Sequence, residues 1–279
     1  MSNPLTDFVQ RISNPPPVVA VLRLQGVISS GGGLGRAGLN LSDLAGPIEA
    51  AFAIRRVKAV ALAINSPGGS PVQSALIAGR IRQLATEKKV PVYAFAEDVA
   101  ASGGYWLAVA ADEIYADPSS IVGSIGVISS SFGFTGLMDR IGIERRMHTA
   151  GQKKSFLDPF SPERAEDVER LKALQRELHS NFRGEIERRR GAKLKGGEDL
   201  FTGEFWTGAK ALELGLIDGL GDLRSVMRSK FGDKVRLRRV GARQSWLRRR
   251  LGLAGLGQGF ADGMVAGLEE RAHWARFGL

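Results

Sequence analysis

Apolar residues along this chain fall into short, nearly unbroken runs separated by longer stretches of mixed polarity. VVAVLRLQGVI (18–28), VKAVALAI (57–64), VPVYAFA (90–96) and DEIYA (112–116) are of strand length and hardly alternate, as expected of strands covered on both faces. Between them, helical spacing predicts helices over 43–56, 71–86 and 103–111. Ser70 stands where an N-cap is needed, with Pro71 at the first helical position. Strand and helix in alternation predict an α/β domain on a mainly parallel sheet. Further on, Ser161 with Pro162 marks the start of a longer helix. Glu163, Glu166 and Asp167 lie near that start, and Arg188, Arg189 and Arg190 precede Gly191 at its end. Both charge biases suit the helix dipole. Its stripe Val168, Leu171, Leu178, Phe182 and Ile186 is expected to bury one face. A shorter helix over 207–214 is stopped by Gly215.

The two ends read differently from the middle. Leu5, Phe8, Val9 and Ile12 make a short amphipathic start, ended by Pro15, Pro16 and Pro17. The expected division is a segment 1–17, a domain 18–240 and a tail 241–279 rich in Gly and Arg. Charge is concentrated near that last boundary. Of 39 basic residues, eight (Lys234, Arg236, Arg238, Arg239, Arg243, Arg248, Arg249, Arg250) fall in 234–250, which holds no acidic residue. The others nearly balance the 29 acidic residues, so the expected molecule is a near-neutral body with a basic strap.

Composition removes several kinds of chemistry. There is no cysteine, hence no disulfide, thiolate metal site or cysteine nucleophile. His148, His179 and His273 are far apart and no HExxH occurs, which argues against a zinc hydrolase. The longest uncharged run, 118–138, is broken by Gly123, Gly126, Gly133 and Gly136 and by serines, so it does not read as a membrane span. Residues 1–13 lack an apolar core of signal-peptide length, and the expected location is the cytoplasm.

Gly33-Leu34-Gly35-Arg36-Ala37-Gly38 matches GxGxxG after a strand, but a dinucleotide site also needs an acidic residue about 20 positions on. No Asp or Glu lies between Glu49 and Glu87. A glycine-rich loop accounts for it better.

Two other turns carry more information. Asn65-Ser66-Pro67-Gly68-Gly69-Ser70 and Ala101-Ser102-Gly103-Gly104-Tyr105-Trp106 each follow a buried strand and open a helix. In a parallel sheet, neighbouring strands bring such turns together at the carboxyl edge, where ligands of these sheets bind. Ser102 would stand at a helix start, with the Gly68, Gly69 and Gly103 N–H groups nearby, the parts of an oxyanion hole. Either turn alone reads better as a cap or a tight turn; the pair weighs chemistry evenly against that reading. Ser102 then needs a base. No histidine has a placed companion, although His148 shares a stretch with Lys153 and Lys154. An unperturbed lysine, pKa ~10.4, is neutral in fewer than about one molecule in a thousand at pH 7. Burial in an apolar pocket can make lysine a usable base, whereas two lysines in a loop ordinarily read as solvated charge.

Five blocks, VALAINSPGGSPVQS, DVAASGGYWLAVAAD, VGSIGVI, AGQKKSFLDPFSPE and GAKALELGLIDGLGD, resemble in order and spacing the bacterial signal peptide peptidase A (protease IV) family of serine peptidases, over about residues 18–240. The resemblance implies the ClpP/crotonase-like fold, a spiral of ββα units, and a Ser–Lys dyad needing no metal or cofactor. Ser102 matches the nucleophile and Lys154 the general base, with Lys153 on the variable position before it. Ser124 matches a serine that orients the lysine, and Gly68, Gly69 and Gly103 match the oxyanion-hole region. It further implies peptide substrates, unstructured or membrane-derived, and a homo-oligomer. In tandem members one copy supplies the serine and the other the lysine, whereas this chain has one copy carrying both. Members commonly carry an N-terminal transmembrane anchor; with none read here, the basic strap from Lys234 to Arg250 reads either as a peripheral contact with an anionic inner membrane or, at least as readily, as a solvated tail. Specific nucleic-acid binding is not expected. Two rival readings stay open, a crotonase-like CoA-thioester enzyme and an inactive membrane-surface scaffold.

Overall fold

The computed structural model describes residues 15–30, 38–151, 153–241 and 271–278. Its centre is a sheet of long, buried strands: β1 (Val18–Gln25), β2 (Val57–Ser66) and β3 (Val92–Ala101). β1 and β2 pair in parallel, Val19 opposite Ala59, and β2 and β3 pair in parallel, Val60 opposite Val92. Helices return the chain between them: α1 (Leu41–Phe52) joins β1 to β2, and α2 (Pro71–Lys88) joins β2 to β3. Local chemistry sets their starts. Asn40 Oδ1 accepts from the Asp43 N–H, and Ser70 Oγ accepts from the Gln73 N–H, each satisfying a free amide of the first turn. Beyond β3 come α3 (Gly103–Ala108), β4 (Glu113–Ala116) and β5 (Ile121–Gly123). The first half of β3 pairs with β4 and its second half with β5, so the sheet divides there.

The rest of the chain is α4 (Thr135–Ile141), α5 (Ala165–Arg190), β6 (Phe205–Thr207), α6 (Gly208–Glu213), β7 (Gly219–Leu220), α7 (Leu223–Phe231) and β8 (Arg236–Val240). The main order is β6-β5-β3-β2-β1-β8, with β4 joining β3 to β7. Among the described strands only β5–β6 is antiparallel. The expectation of an α/β, mainly parallel architecture holds. One sheet face packs under α1, α2 and α3, burying Ile48, Ile77, Ile81 and Leu107. The other packs Val19, Ala61 and Phe95 against Met227 of α7.

Three expectations are corrected. The long helix begins at Ala165, not beside Ser161, because the Ser161 hydroxyl donates to Asp158 (2.9 Å) and so does not cap. Of its stripe, Phe182 and Ile186 are buried, Phe182 stacking on Trp106 at 4.6 Å, whereas Leu178 is exposed. The first half of α5 stands clear of the core. The basic strap, finally, is not a single appendage: Arg236–Val240 is an edge strand parallel to β1, with Arg236 opposite Val18. Gly33 to Ala37 of the glycine loop, the segment 1–14 and the strap residues Arg243 to Arg250 lie outside the described residues. No described helix is long and apolar enough to cross a membrane.

Candidate active site

The two glycine turns meet at the carboxyl ends of β2 and β3. Their register shifts between Ile64 and Ser66, putting Ser66 opposite Ala100. Asn65 bridges the irregularity: its Nδ2 donates to Asp98 (2.6 Å) and its Oδ1 accepts from the Val99 N–H. Beside it the Ser66 hydroxyl donates to Gly26 O (2.7 Å) and accepts from the Gly68 N–H (3.2 Å). Thus the first turn is tied to β1 and β3 before it reaches its glycines.

Those glycines make room for the second turn. Gly68 has φ +101°, and a Cβ there would lie 2.8 Å from both the Ser102 Cβ and the Gly103 nitrogen. Gly104 closes the contact from the other side, since a Cβ on it would lie 2.4 Å from Ser66 O. The sequence GG after Pro67 and GG after Ser102 therefore lets two backbones approach where no side chain fits.

Ser102 occupies the resulting corner with φ 51° and ψ −122°, a conformation costly for a non-glycine residue. Its N–H donates to Gly123 O (2.8 Å), and its carbonyl accepts from Trp106 N–H, starting α3. The hydroxyl makes no capping bond. Ser102 therefore stands at the N-cap position without capping through its side chain; the backbone is held in a sharp strand-to-helix turn, and among the described residues the hydroxyl has no hydrogen-bond partner. Among the described residues nothing accepts from the Gly69 or Gly103 N–H, while the Gly68 N–H is engaged by Ser66.

Ser124 lies one residue beyond the carbonyl that holds Ser102. It is buried, has φ 53°, and its N–H donates to Glu204 O (2.7 Å). Tyr105 anchors the helix behind Ser102: its hydroxyl donates to Leu216 O (2.7 Å), and full burial pushes its pKa well up. Facing the end of β3 on the sheet's other side, Phe277 and Trp274 cover Val99, Ala101 and Ile121, with Phe205 edge-on to Phe277 at 5.2 Å.

Lys154 is elsewhere. It is exposed on the segment between α4 and α5, in a shallow recess with Gly151, Lys153 and Arg170. His148 is exposed on the same segment. A cleft of about 580 Å³ on this arm is lined by Phe132, Met147, Leu157, Asp158 and Arg164 among others, none of them from the serine turn. Within one chain the structure brings together Ser102, Ser124, Gly68, Gly69 and Gly103, and does not bring Lys154 to them. Sequence reasoning missed Asn65, Ser66 and Asp98. A signal existed for two of them: Asn65 and Ser66 are polar positions at the end of an otherwise apolar strand.

Comparison with known proteins identifies a family. Residues 84–234 match the model of Peptidase family S49. A Brucella abortus (strain 2308) protein named Na(+)/H(+) antiporter NhaA is 53% identical over 271 residues, covering 94% of this chain and 37% of that protein. The chain thus spans well under half of that relative. The Arabidopsis thaliana protein "Serine protease SPPA, chloroplastic" is 35% identical over 173 residues, covering 61% of this chain and 25% of that one. A solved structure of the 1510-N membrane-bound stomatin-specific protease, a mutant in complex with a substrate peptide, aligns with TM-score 0.50 and 14% identity over 91% of this chain and 98% of that chain. It is a likeness of fold.

Proposed function

We propose that this chain, which belongs to Peptidase family S49, is a serine peptidase that hydrolyses peptide bonds in unstructured or membrane-derived peptides by a Ser102–Lys154 dyad. The observation that carries the reading is the strained, uncapped Ser102 wedged against Gly68, with the Gly69 and Gly103 amides unengaged beside it. A neutral Lys154 amine takes the Ser102 proton as Oγ bonds to the substrate carbonyl carbon. The carbonyl oxygen becomes an oxyanion, held by the Gly69 and Gly103 N–H groups. Gly68 contributes chiefly its missing side chain. Collapse of the intermediate breaks the C–N bond, and the lysine ammonium returns the proton to the leaving amine. Water, activated by the same lysine, then releases the acyl group. Ser124, buried next to the turn, orients the incoming amine.

Because Lys154 is exposed and shares its recess with no residue of the serine turn, the lysine is supplied by a second copy in a homo-oligomer. The arm that bears it supports that assembly. Ile128, Phe132, Leu137, Ile141 and Ile143 there are all more than half exposed, Phe132 at 80%, an apolar surface of the kind that marks an interface.

The test is hydrolysis of a peptide library. Ser102→Ala and Lys154→Ala should each lose activity by at least about a thousandfold with unchanged circular dichroism, and His148→Ala should keep most of it. A fluorophosphonate should label Ser102, which a crotonase-like thioester enzyme does not require. Inactive His148→Ala beside active Lys154→Ala would assign the base to histidine and overturn the dyad.

A further inference from the structure

The opposite edge of the sheet carries a feature that the peptidase chemistry does not use. β8, β1, β2 and β3 are neighbours in that order and run parallel, so their amino ends share one edge. Arg55, Arg56 and Lys58 stand at the start of β2, Lys88 and Lys89 just before β3, and Lys234 and Arg236 at the start of β8. The chain brings them together from three separate places. Arg236 N–H donates to Pro17 O and Val60 N–H to Pro91 O, which fixes these turns side by side. At ~4.8 Å per strand, three strand steps span roughly 14 Å. All seven cations are exposed, and none has an ion-pair partner among the described residues. Lys88 also serves the end of α2, where a cation suits the helix dipole. Lys89 is the C-cap of the same helix, and no such local duty accounts for the other five. Against them, in the three turns 54–58, 85–91 and 232–236, stand only Glu87 and Asp233.

We infer that this edge is a cationic platform that seats the protein on an anionic lipid surface. Three observations favour lipid over nucleic acid. The three turns contain no aromatic residue on which a base could stack. The edge is made of strand starts and a helix C-terminus, with no helix or ribbon projecting to enter a groove. And the chain enters β1 from this edge through Pro15–Pro17, and the sequence before them carries Leu5, Phe8, Val9 and Ile12 at helical spacing. An apolar stripe joined in sequence to a basic patch is the pairing that holds a peripheral protein to a charged interface. The surface involved is not the strap as a unit: Lys234 and Arg236 lie at this edge, whereas β8 carries the chain to Val240 at the other.

The arrangement sets the catalytic turn at a fixed height. From Lys58 to Ser66 the strand climbs roughly 26 Å, so a seated molecule presents Ser102 to water and to peptide segments that have left the bilayer.

The full chain is tested by co-sedimentation with phosphatidylcholine vesicles, with and without phosphatidylglycerol. It should bind only the anionic vesicles, and less as salt rises. R55E/K58E/K234E should weaken that binding by about a hundredfold or more, while R243E/R248E/R250E stays within about threefold of the unaltered chain, the proposed platform being formed by residues before Val240. If the reversals disturb the fold, R55Q/K58Q/K234Q carries the test, with a smaller loss in the same direction. Equal binding to neutral vesicles, retention of binding by R55E/K58E/K234E, or binding of an oligonucleotide in place of vesicles overturns the proposal. Ser102→Ala should bind vesicles like the unaltered chain, so the outcome is independent of the peptidase reading.

Discussion

At Gly68 the site depends on the absence of one carbon. Its φ of +101° is a conformation that alanine reaches only at a cost of about 1–2 kcal/mol. Its Cβ would in addition press on Ser102 Cβ at 2.8 Å and on Ala101 O at 2.9 Å. These neighbours are backbone or Ser102 itself, so nothing flexible can yield without moving Ser102. Gly68→Ala should therefore lower kcat/KM by roughly a hundredfold or more and also lower the urea midpoint. Gly79 provides the contrast. It is exposed inside α2 with open space around it, and Gly79→Ala should raise stability by about 0.5–1 kcal/mol with activity unchanged. Urea titration and peptide turnover of the two variants separate the roles. Equal effects at both positions would remove the special standing of the Gly68–Ser102 contact.

Among elements, the polar joint at the end of α5 holds the floor under α3. Arg190 bonds Asp218 at 2.6 Å and Gly215 O through two nitrogens; Asp218 also accepts from Lys193 and from the Ile114 N–H. The same loop accepts the Tyr105 hydroxyl. Burial alone would raise the Asp218 carboxyl, but the hydrogen bonds from Arg190, Lys193 and Ile114 outweigh it and hold the pKa below the ordinary carboxylate value. A carboxyl depressed in the folded state binds fewer protons there than in the unfolded chain. Its stabilisation is present above the unfolded value of about 3.9 and is lost as pH falls through the folded value. Asp218→Asn should cost about 3–5 kcal/mol at pH 7, and the gap between the two urea midpoints should narrow below about pH 4. A gap that is constant from pH 7 to pH 3 would contradict the charged joint. Nothing local in the sequence announced this joint, since its partners are separated by 25, 28 and 104 positions. The elements that were legible are those whose ends are set by neighbours in sequence. Ser70 caps α2 through Gln73, three residues on, and the apolar runs of β2 and β3 are long enough to exclude a surface strand. Where a local signal failed, a competing contact explains it. Ser161-Pro162 has the form of a helix start, but Asp158 takes the hydroxyl. β8 reads as a charge run because an edge strand buries little and can carry arginine on its open side.

For the whole molecule, the serine turn was legible because its parts lie on adjacent strands, whereas Lys154 was matched in sequence without any indication of where it would stand. It stands on an arm whose helix α4 buries no residue of its own and whose aromatic side chains Phe132, Phe134 and Phe160 lie in a row, the first pair tilted at 6.5 Å and the second stacked at 5.5 Å between rings. Such a surface gains from association, and association is what the proposed dyad requires. If each site takes Ser102 from one subunit and Lys154 from the next, inactive Ser102→Ala and Lys154→Ala chains contain complementary halves. Dissociated, mixed in equal amounts and reassembled in a closed ring, they should recover roughly a quarter of the sites. The fraction follows from chance: a working site needs an intact serine from one subunit and an intact lysine from its neighbour, each present in half the chains. If both residues came from the same chain, every site would lack one of them and mixing would restore nothing. Differential tags establish whether mixed oligomers formed. Mixed oligomers without activity would place the lysine within the chain, which then requires the arm to fold back across the domain. Recovery near a quarter, absent when either variant is reassembled alone, would place it on the neighbour. Phe132→Asp supplies the companion measurement. A charge on that exposed ring should leave the domain's circular dichroism intact, shift the elution volume toward the monomer and abolish peptide hydrolysis together with assembly.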